Sequence, residues 1–206
     1  LLTNPSMGLP TDLWVPTTDK IAPETSDITA IGYSQSLPLN LNLNIEAYYK
    51  TMNGLIEYSD GISFFGSDQD WQNKVETGKG WSYGGEVLLE KKVGKTSGWI
   101  GYTLSWTNRQ FDGISQGEIY PYRYDRRHDI GIAITHKFDE KFDIGAVWVY
   151  GTGNSFTLGL DRYMSYNNNG NEFWTPEIEH IESRNNYRMP SYHRMDISLN
   201  YHKKFK

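Results

Sequence analysis

Hydrophobic and polar side chains alternate along most of the chain with a period of two. From Leu41 to Tyr49 the odd positions are Leu, Leu, Ile, Ala and Tyr, whereas the even positions are Asn, Asn, Glu and Tyr. The same alternation recurs over 98–107, 129–135, 142–150 and 194–201. Because successive side chains of a β-strand point to opposite faces, this pattern predicts strands with one apolar face and one polar face.

The predicted strands are long, and most of them span 11–15 residues. Strands of soluble proteins are usually about five or six residues long, whereas a tilted strand needs about 9–11 residues to cross a bilayer. The lengths therefore favour an antiparallel transmembrane β-barrel. We predict seven strands, at 24–36, 41–57, 81–92, 98–110, 124–137, 142–152 and 192–205.

The connections between these strands alternate between short and long. The short ones are 37–40, 93–97 and 138–140, and the long ones are 58–80, 111–123 and 153–191. In an up-and-down meander every second connection lies at the same edge, so all short turns would share one rim. Outer-membrane barrels have this arrangement, with short periplasmic turns and long extracellular loops. A sandwich with Greek-key connections has no reason to sort its loops in this way.

The alternation alone fits both a barrel in lipid and a soluble β-sandwich, since each can bury one face. Aromatic residues near the strand ends favour the barrel, because Trp and Tyr concentrate at membrane–water interfaces. Single-chain bacterial barrels have an even number of strands from eight upward, so seven strands predict a part of a larger barrel. The aromatic residues in question are Trp81, Trp99, Trp106, Trp148, Tyr49, Tyr150 and Tyr201.

Composition narrows the class further. The 206 residues include 20 Gly, 7 Trp, 15 Tyr and 8 Phe, but only five Ala, which indicates little helix. The net charge of −5 disfavours a nucleic-acid partner. The absence of cysteine excludes disulfides, a Cys-based zinc site and a thiol nucleophile. The longest apolar run has five residues, Ala146 to Tyr150, which is too short for a transmembrane helix.

Several segments carry recognisable motifs. The segment 80–86 reads Gly-Trp-Ser-Tyr-Gly-Gly-Glu, a G-x-S-x-G-x-E strand opening, and 46–56 carries paired tyrosines followed by Asn-Gly. Together with 8–16, 124–130 and 185–196, in this order and at these spacings, they resemble the TonB-dependent outer-membrane receptor family over almost the whole chain.

This resemblance implies a 22-stranded barrel occluded by an N-terminal plug, spanning the Gram-negative outer membrane many times. It implies the import of a scarce nutrient, namely a ferric siderophore, cobalamin or a glycan, driven by the TonB complex. We therefore expect residues 1–206 to form part of the barrel domain, with the plug, the TonB box and the remaining strands outside them. The implied partners are the TonB complex, outer-membrane lipid, the small nutrient ligand and a surface lipoprotein, but no nucleic acid.

The densest charge cluster combines Asp125, Arg126, Arg127 and Asp129, at the start of a predicted strand. The arginine forks could bind a phosphate or carboxylate of a ligand, or they could form salt bridges at the rim and along the lumen. A similar element, Arg194 with Asp196, recurs at the start of another strand, and this recurrence favours the structural role.

The long loops are the predicted place of ligand specificity. Aromatic and acidic residues there would suit sugars or siderophores, although the aromatic residues could equally pack the loops together. The candidates are Trp71, Asp161, Tyr163 and Trp174.

No motif indicates catalysis, a cofactor or a metal. The five histidines form no His-Glu-x-x-His run, and Ser165 and Pro176 occupy the positions where an EF-hand loop around Gly170 requires acids. We therefore expect a protein that is not an enzyme and has no cofactor. Two alternative functions are a soluble extracellular carbohydrate-binding sandwich and a passive outer-membrane channel.

Overall fold

The computed structural model describes residues 15–60, 70–159, 161–164, 177–181 and 183–203. Among them, no helix is long and apolar enough to cross a membrane. In chain order, the strands are β1 Thr25–Leu37, β2 Leu41–Tyr58, β3 Val75–Lys91, β4 Thr96–Gln110, β5 Tyr120–Pro121, β6 His128–Lys137, β7 Phe142–Gly151, β8 Ser155–Phe156, β9 Asp161–Met164, β10 Glu177–His180, β11 Tyr187–Arg188 and β12 Tyr192–Tyr201.

The seven long strands form one continuous antiparallel sheet in the order β1-β2-β3-β4-β6-β7-β12. Every long strand pairs with the next long strand along the chain, so the predicted up-and-down meander is confirmed. A sandwich would divide these strands between two packed sheets, which the pairing rules out. Within the described residues the sheet does not close, because β1 and β12 each pair on one side only.

The register gives the sheet one apolar and one polar face. Cross-strand partners always share a face, so each row of paired residues belongs to one face throughout. On the apolar face of the interior strands, Ile45, Val87 and Ile100 are 43%, 38% and 41% exposed, which marks a surface that meets lipid rather than water. One apolar row runs Tyr33, Ile45, Val87, Tyr102, Ile130 and Tyr150, and the neighbouring polar row runs Gly32, Glu46, Glu86, Thr103 and Asp129.

The connections sort to opposite ends of the sheet, as predicted. The short turns at 38–40, 92–95 and 138–141 share one end, which we call the turn rim. The long connections 59–74, 111–127 and 152–191 share the other end, which we call the loop rim.

A β-bulge at Gly54 divides β2 into two parts. Asn53 pairs with Lys79 and Leu55 with Gly78, so Gly54 is an extra residue. Its φ of 70° suits glycine, because other residues are strained there. The extra residue shifts the alternation by one, and Leu55 and Glu57 therefore turn to the polar face. Beyond the bulge, β2 and β3 continue as a pair up to the loop rim.

Three predicted strand boundaries are wrong, and one of them is the end of the last strand, which lies at Tyr201 rather than at 205. β3 begins at Val75 rather than at 81, because the Gly-rich, polar residues before Trp81 pair with β2 beyond the bulge, where alternation is no longer required. The strand predicted from 124 begins at His128. The preceding residues leave the ladder because the Asp125 carboxylate takes the backbone N–H of Thr107, at 2.7 Å.

Two small apolar cores lie at the loop rim. Ile21, Ile56 and Tyr58 form one, with Trp71 and Val75 packed against it. The other contains four buried residues and lies over Gly78 and Gly80, where a side chain would collide with Phe111 or Leu55. Its members are Leu55, Phe111, Ile114 and Tyr120.

Trp99 departs from the predicted interfacial belt of aromatic residues. The register places it on the polar face, opposite Glu90 and Ala133. Its ring covers the cross-strand glycine pair Gly101 and Gly131, since a Cβ built at Gly131 would lie 2.8 Å from the indole. The predicted belt residues Tyr49 and Trp106 do share the apolar face, and Tyr83 lies between them, with ring centroids 6.4 and 5.3 Å away.

Candidate functional site

The polar face and the loop rim together form the candidate site. Below the bulge, the polar face is acidic because its carboxylates outnumber its cations. The carboxylates are Glu46, Glu86, Glu90, Asp129, Asp143 and Asp196, and the cations are Lys50, Lys92, Lys137 and Arg194. Glu46 and Glu86 are direct cross-strand partners, a like-charge pair that is tolerated where water can enter.

The first feature of the loop rim is a buried ion-pair network around Glu57. The Glu57 carboxylate accepts hydrogen bonds from the Tyr120 hydroxyl at 3.0 Å and from Arg109 Nη1 at 3.3 Å. Arg184 Nε lies 3.4 Å from the other carboxylate oxygen. All four residues are at most 7% exposed. We call this group the Glu57 hub.

The environment of the Glu57 hub fixes its protonation and its contacts. Burial, and next the neighbouring Glu57 carboxylate, raise the pKa of Tyr120 well above its ordinary value, so Tyr120 stays a hydrogen-bond donor. Arg184 Nη1 donates to the Tyr58 carbonyl at 2.7 Å, and Arg109 stacks on the ring of Tyr122 at 3.6 Å. The two guanidinium groups are therefore held by several partners each.

A second buried network surrounds Asp125, which is 1% exposed. Its carboxylate accepts hydrogen bonds from the Thr107 N–H, from Arg127 Nη2 at 3.3 Å and from Arg188 Nη2. Arg188 Nη1 also donates to the carbonyls of Asp125 and Gly153, at 2.6 and 3.0 Å. We call this group the Asp125 hub.

Both hubs hold the same piece of chain, residues 183–188, which ends the longest connection. Arg184 belongs to the Glu57 hub and Arg188 to the Asp125 hub. Between them, the buried Asn185 donates its side-chain amide to the Pro121 carbonyl at 2.9 Å. This return segment is thus fixed to β2, β5 and the 122–127 stretch by charged and amide side chains. This arrangement fixes the position of residues 183–188 relative to the sheet.

The six residues of the predicted charge network do not form one network. Asp125 and Arg127 are in the Asp125 hub, whereas Arg126 pairs with Asp129 at 3.3 Å on the exposed surface. Arg194 pairs with Asp196 on β12, at 2.9 Å. The structure thus places the six residues in three separate groups, one buried and two exposed. Their role at the rim and in the lumen remains a prediction.

The ligand candidates of the long loops divide in a different way. Trp71 packs against the Ile21, Ile56 and Tyr58 core. The backbone of Asp161 and Tyr163 lies in β9, paired with His180 and Ile178 of β10. Trp174 lies outside the described residues. Their ligand contacts remain predictions.

Sequence reasoning missed Glu57, Arg109, Tyr120, Arg184 and Arg188. Arg188 carried a signal, since it lies in the motif at 185–196. Glu57 carried none, because its inward orientation depends on the bulge at Gly54. Among the described residues, no group of three or more His, Asp or Glu could hold a metal ion.

The sheet has long antiparallel strands, one lipid-facing side, one acidic polar side and loops that are held at one rim. These features define the wall of a membrane β-barrel. The family model described as TonB dependent receptor-like, beta-barrel, matches residues 5–206. The chain belongs to this family, and the resemblance seen in its motifs is confirmed. No curated protein and no solved structure gave a significant match.

Proposed function

We propose that residues 1–206 form part of the barrel wall of a multi-pass receptor that imports a scarce nutrient across the outer membrane of a Gram-negative bacterium. Membership of the barrel family supports the receptor class. The single observation that supports the import of a ligand is that both hubs hold the return segment, residues 183–188. A passive pore needs only a closed wall, whereas a receptor must hold its long loops in one conformation to recognise a ligand.

In this proposal, the energy comes from the TonB complex, acting through a plug and TonB box that belong to other parts of the protein. The described strands contribute the wall, the membrane surface and the roots of the ligand-binding loops. A surface lipoprotein would approach from the loop rim, where the long connections lie. The chain performs transport without a cofactor and without a catalytic step of its own.

The acidic polar face supports a choice among the nutrient classes. Carboxylates outnumber cations there, and the arginines of the two hubs are already bound to Glu57 and Asp125. A polyanionic ligand, such as a carboxylate-rich ferric siderophore, would meet repulsion along this wall. A neutral, hydroxyl-rich ligand would instead find carboxylate and amide acceptors. We therefore propose a glycan as the ligand.

Uptake by cells that lack the chromosomal gene tests this function. Cells that express the intact receptor should import labelled oligosaccharides, and import should stop when TonB is deleted or the proton gradient is dissipated. Import that survives loss of TonB would identify a passive channel and overturn the proposal. Rescue of growth by an iron chelate alone would keep the receptor class and overturn the glycan.

A matched pair of variants tests whether ligand binding depends on the contacts of Arg184 in the Glu57 hub. Arg184→Lys keeps the charge but removes the planar fork that reaches Glu57 and the Tyr58 carbonyl together. Arg194→Lys makes the same change in an exposed pair. The first should weaken ligand binding at the cell surface at least several-fold, and the second should leave it unchanged. Equal ligand binding by both variants would contradict the proposal that the Glu57 hub holds the loops in the conformation that binds the ligand.

A further inference from the structure

The apolar face carries a notch near the turn rim. It has a volume of about 120 Å³ and is lined mainly by aliphatic side chains and by the rim residues Lys91, Thr96 and Ser97. Pockets for nutrient-sized ligands are usually about 300–1,000 Å³, and an apolar cavity of about 150 Å³ holds one benzene ring. The notch therefore suits a short length of one hydrocarbon chain. Its aliphatic walls are Leu41, Leu89, Ile100 and Ile134.

The notch results from the absence of a side chain at Gly98. Gly98 lies between Lys91 and Ile134 in one row across β3, β4 and β6, and it adds no side chain to the apolar face. Its φ is 152°, and a Cβ there would lie 2.1 Å from the Ala133 carbonyl oxygen. A larger residue cannot replace it without moving β6. The gap in the apolar surface is therefore a fixed feature of the sheet.

A cation stands at the edge of the notch. Lys91 belongs to the apolar face and is half-buried, and its Cε lies 3.7 Å from the Cβ position of Gly94 in the following turn. Its stem thus follows the notch wall toward the turn rim, the path that a lysine takes to reach headgroups at a membrane surface. In the described part of the chain, Lys91 has no ion-pair partner.

The neighbouring anions are engaged elsewhere. Glu90 pairs with Lys92 at 3.1 Å on the other face of the strand. The Asp139 carboxylate in the adjacent turn accepts the backbone N–H groups of Lys141 and Phe142, at 2.7 and 2.9 Å. Lys95 is exposed in the same turn as Gly94, and its charge acts on the Asp139 carboxylate as well as beside the notch.

We propose that the notch binds one anionic phospholipid from the membrane leaflet at the turn rim. An acyl chain would lie against the aliphatic walls, and the headgroup phosphate would contact Lys91, assisted by Lys95. Charge complementarity selects an anionic headgroup, and the membrane-facing position of the notch selects a lipid. The site is separate from the loop rim and independent of the nutrient, and it rests only on the barrel class.

Native mass spectrometry of the intact receptor from nanodiscs of phosphatidylcholine and phosphatidylglycerol tests this site. Lys91→Gln should retain phosphatidylglycerol roughly fivefold more weakly, the change expected for one lysine near an anionic surface. Lys79→Gln is the matched control, because Lys79 lies on the same strand and the same face, at the opposite rim. Equal retention by the two variants would overturn the proposal.

Two further experiments distinguish the contact with the acyl chain from the contact with the phosphate. Ile134→Phe fills the notch without changing charge, so it should lower phosphatidylglycerol retention while leaving Lys91 in place. Glycerol phosphate should not displace the bound lipid, because it lacks the acyl chain. Displacement by glycerol phosphate, or full retention by Ile134→Phe, would show a phosphate contact only and would contradict a lipid site. Heat-modifiable electrophoretic mobility checks that each variant has folded.

Discussion

The two rims of the sheet differ in their cations, since lysine occurs at both rims, Lys74 and Lys79 included, whereas arginine is absent from the turn rim. All eight arginines of the sequence lie in its loop-rim half, whereas the lysines Lys91, Lys92, Lys95, Lys137, Lys141 and Lys203 gather at the turn rim. At the loop rim, Arg109 and Arg184 are buried in a network with Glu57. At the turn rim, the ion pair of Lys92 with Glu90 is largely exposed on its lysine side.

The difference follows from what each rim must do. A guanidinium group presents several donors in a rigid plane, so it can satisfy a buried carboxylate and a carbonyl at once. An ammonium group is strongly hydrated and sits on a flexible stem, which suits a surface where water and lipid headgroups meet. The long loops need fixed positions, whereas a short turn is already fixed by its own backbone.

Removing the carboxylate of the Glu57 hub should have the largest effect. Glu57→Ala leaves Arg109 buried without its anion and leaves Arg184 with Asp60, at 3.6 Å, and breaking a buried pair in this way costs about 3–5 kcal/mol. The free energy of unfolding, measured by urea titration of the intact receptor in micelles, should fall by this amount. Glu46→Ala, an exposed carboxylate on the same strand, should change it little.

The Asp125 hub should respond less strongly. Asp125→Asn keeps an oxygen that can accept from the Thr107 N–H but removes the charge that holds Arg127 and Arg188. Hydrogen bonds to charged groups contribute about 1.5–3 kcal/mol each, so a loss of about 2 kcal/mol is expected. Limited proteolysis should then cut the 183–188 segment faster. Asp129→Asn, in the exposed pair with Arg126, should leave cleavage unchanged; faster cleavage there would contradict the distinction.

Gly54 tests the boundary between the membrane sheet and the loop rim. Gly54→Ala places a Cβ at a positive φ, 3.1 Å from the Pro23 carbonyl oxygen. The left-handed conformation costs a residue with a Cβ about 1–2 kcal/mol. Gly85→Ala is the control on the next strand, since its Cβ would meet the Glu46 carbonyl at an ordinary 3.6 Å. Thermal unfolding should separate the two variants.

The smallest effect is expected at the turn rim. Hydrogen bonds from the backbone N–H groups of Lys141 and Phe142 lower the pKa of Asp139 below its ordinary value. The ionised carboxylate therefore stabilises the turn above the pKa of the unfolded chain, and this contribution is lost as the pH falls through the lower pKa of the folded state. Asp139→Asn should make turn stability insensitive to pH in this acidic range. Amide exchange of Phe142 gives the readout, and an unaltered pH response would contradict the assignment.

The alternation of the long strands was sufficient to predict their number, order and faces. Lipid contact imposes a strict period of two, so each membrane-crossing strand shows its two faces in the sequence. The rule gave the wrong start for β3 because residues beyond Gly54 no longer face lipid. Trp99 was assigned to the belt because it lies near a strand end, although the alternation places it with Gly101 and Thr103 on the polar face.

The hubs could not be predicted in the same way. Glu57 and Arg109 are 52 residues apart, and the Tyr58 carbonyl and Arg184 are 126 apart, so no local pattern links them. A one-residue bulge decides which way Glu57 points. The charge cluster around Asp125 was visible in the sequence, but its division into one buried hub and one exposed pair depends on where 183–188 returns.

The bulge at Gly54 also acts as a frame boundary along β2. On the turn-rim side of Gly54, the gain or loss of one residue would exchange the two faces and expose Glu46 and Lys50 to hydrocarbon. On the loop-rim side the same change would turn Glu57 away from Arg109 and Arg184, but it would place no charge in hydrocarbon. One strand thus contains a stretch whose length is fixed by contact with lipid and a stretch whose length is fixed by the Glu57 hub, so a longer loop can be accommodated only beyond Tyr58 without changing the wall.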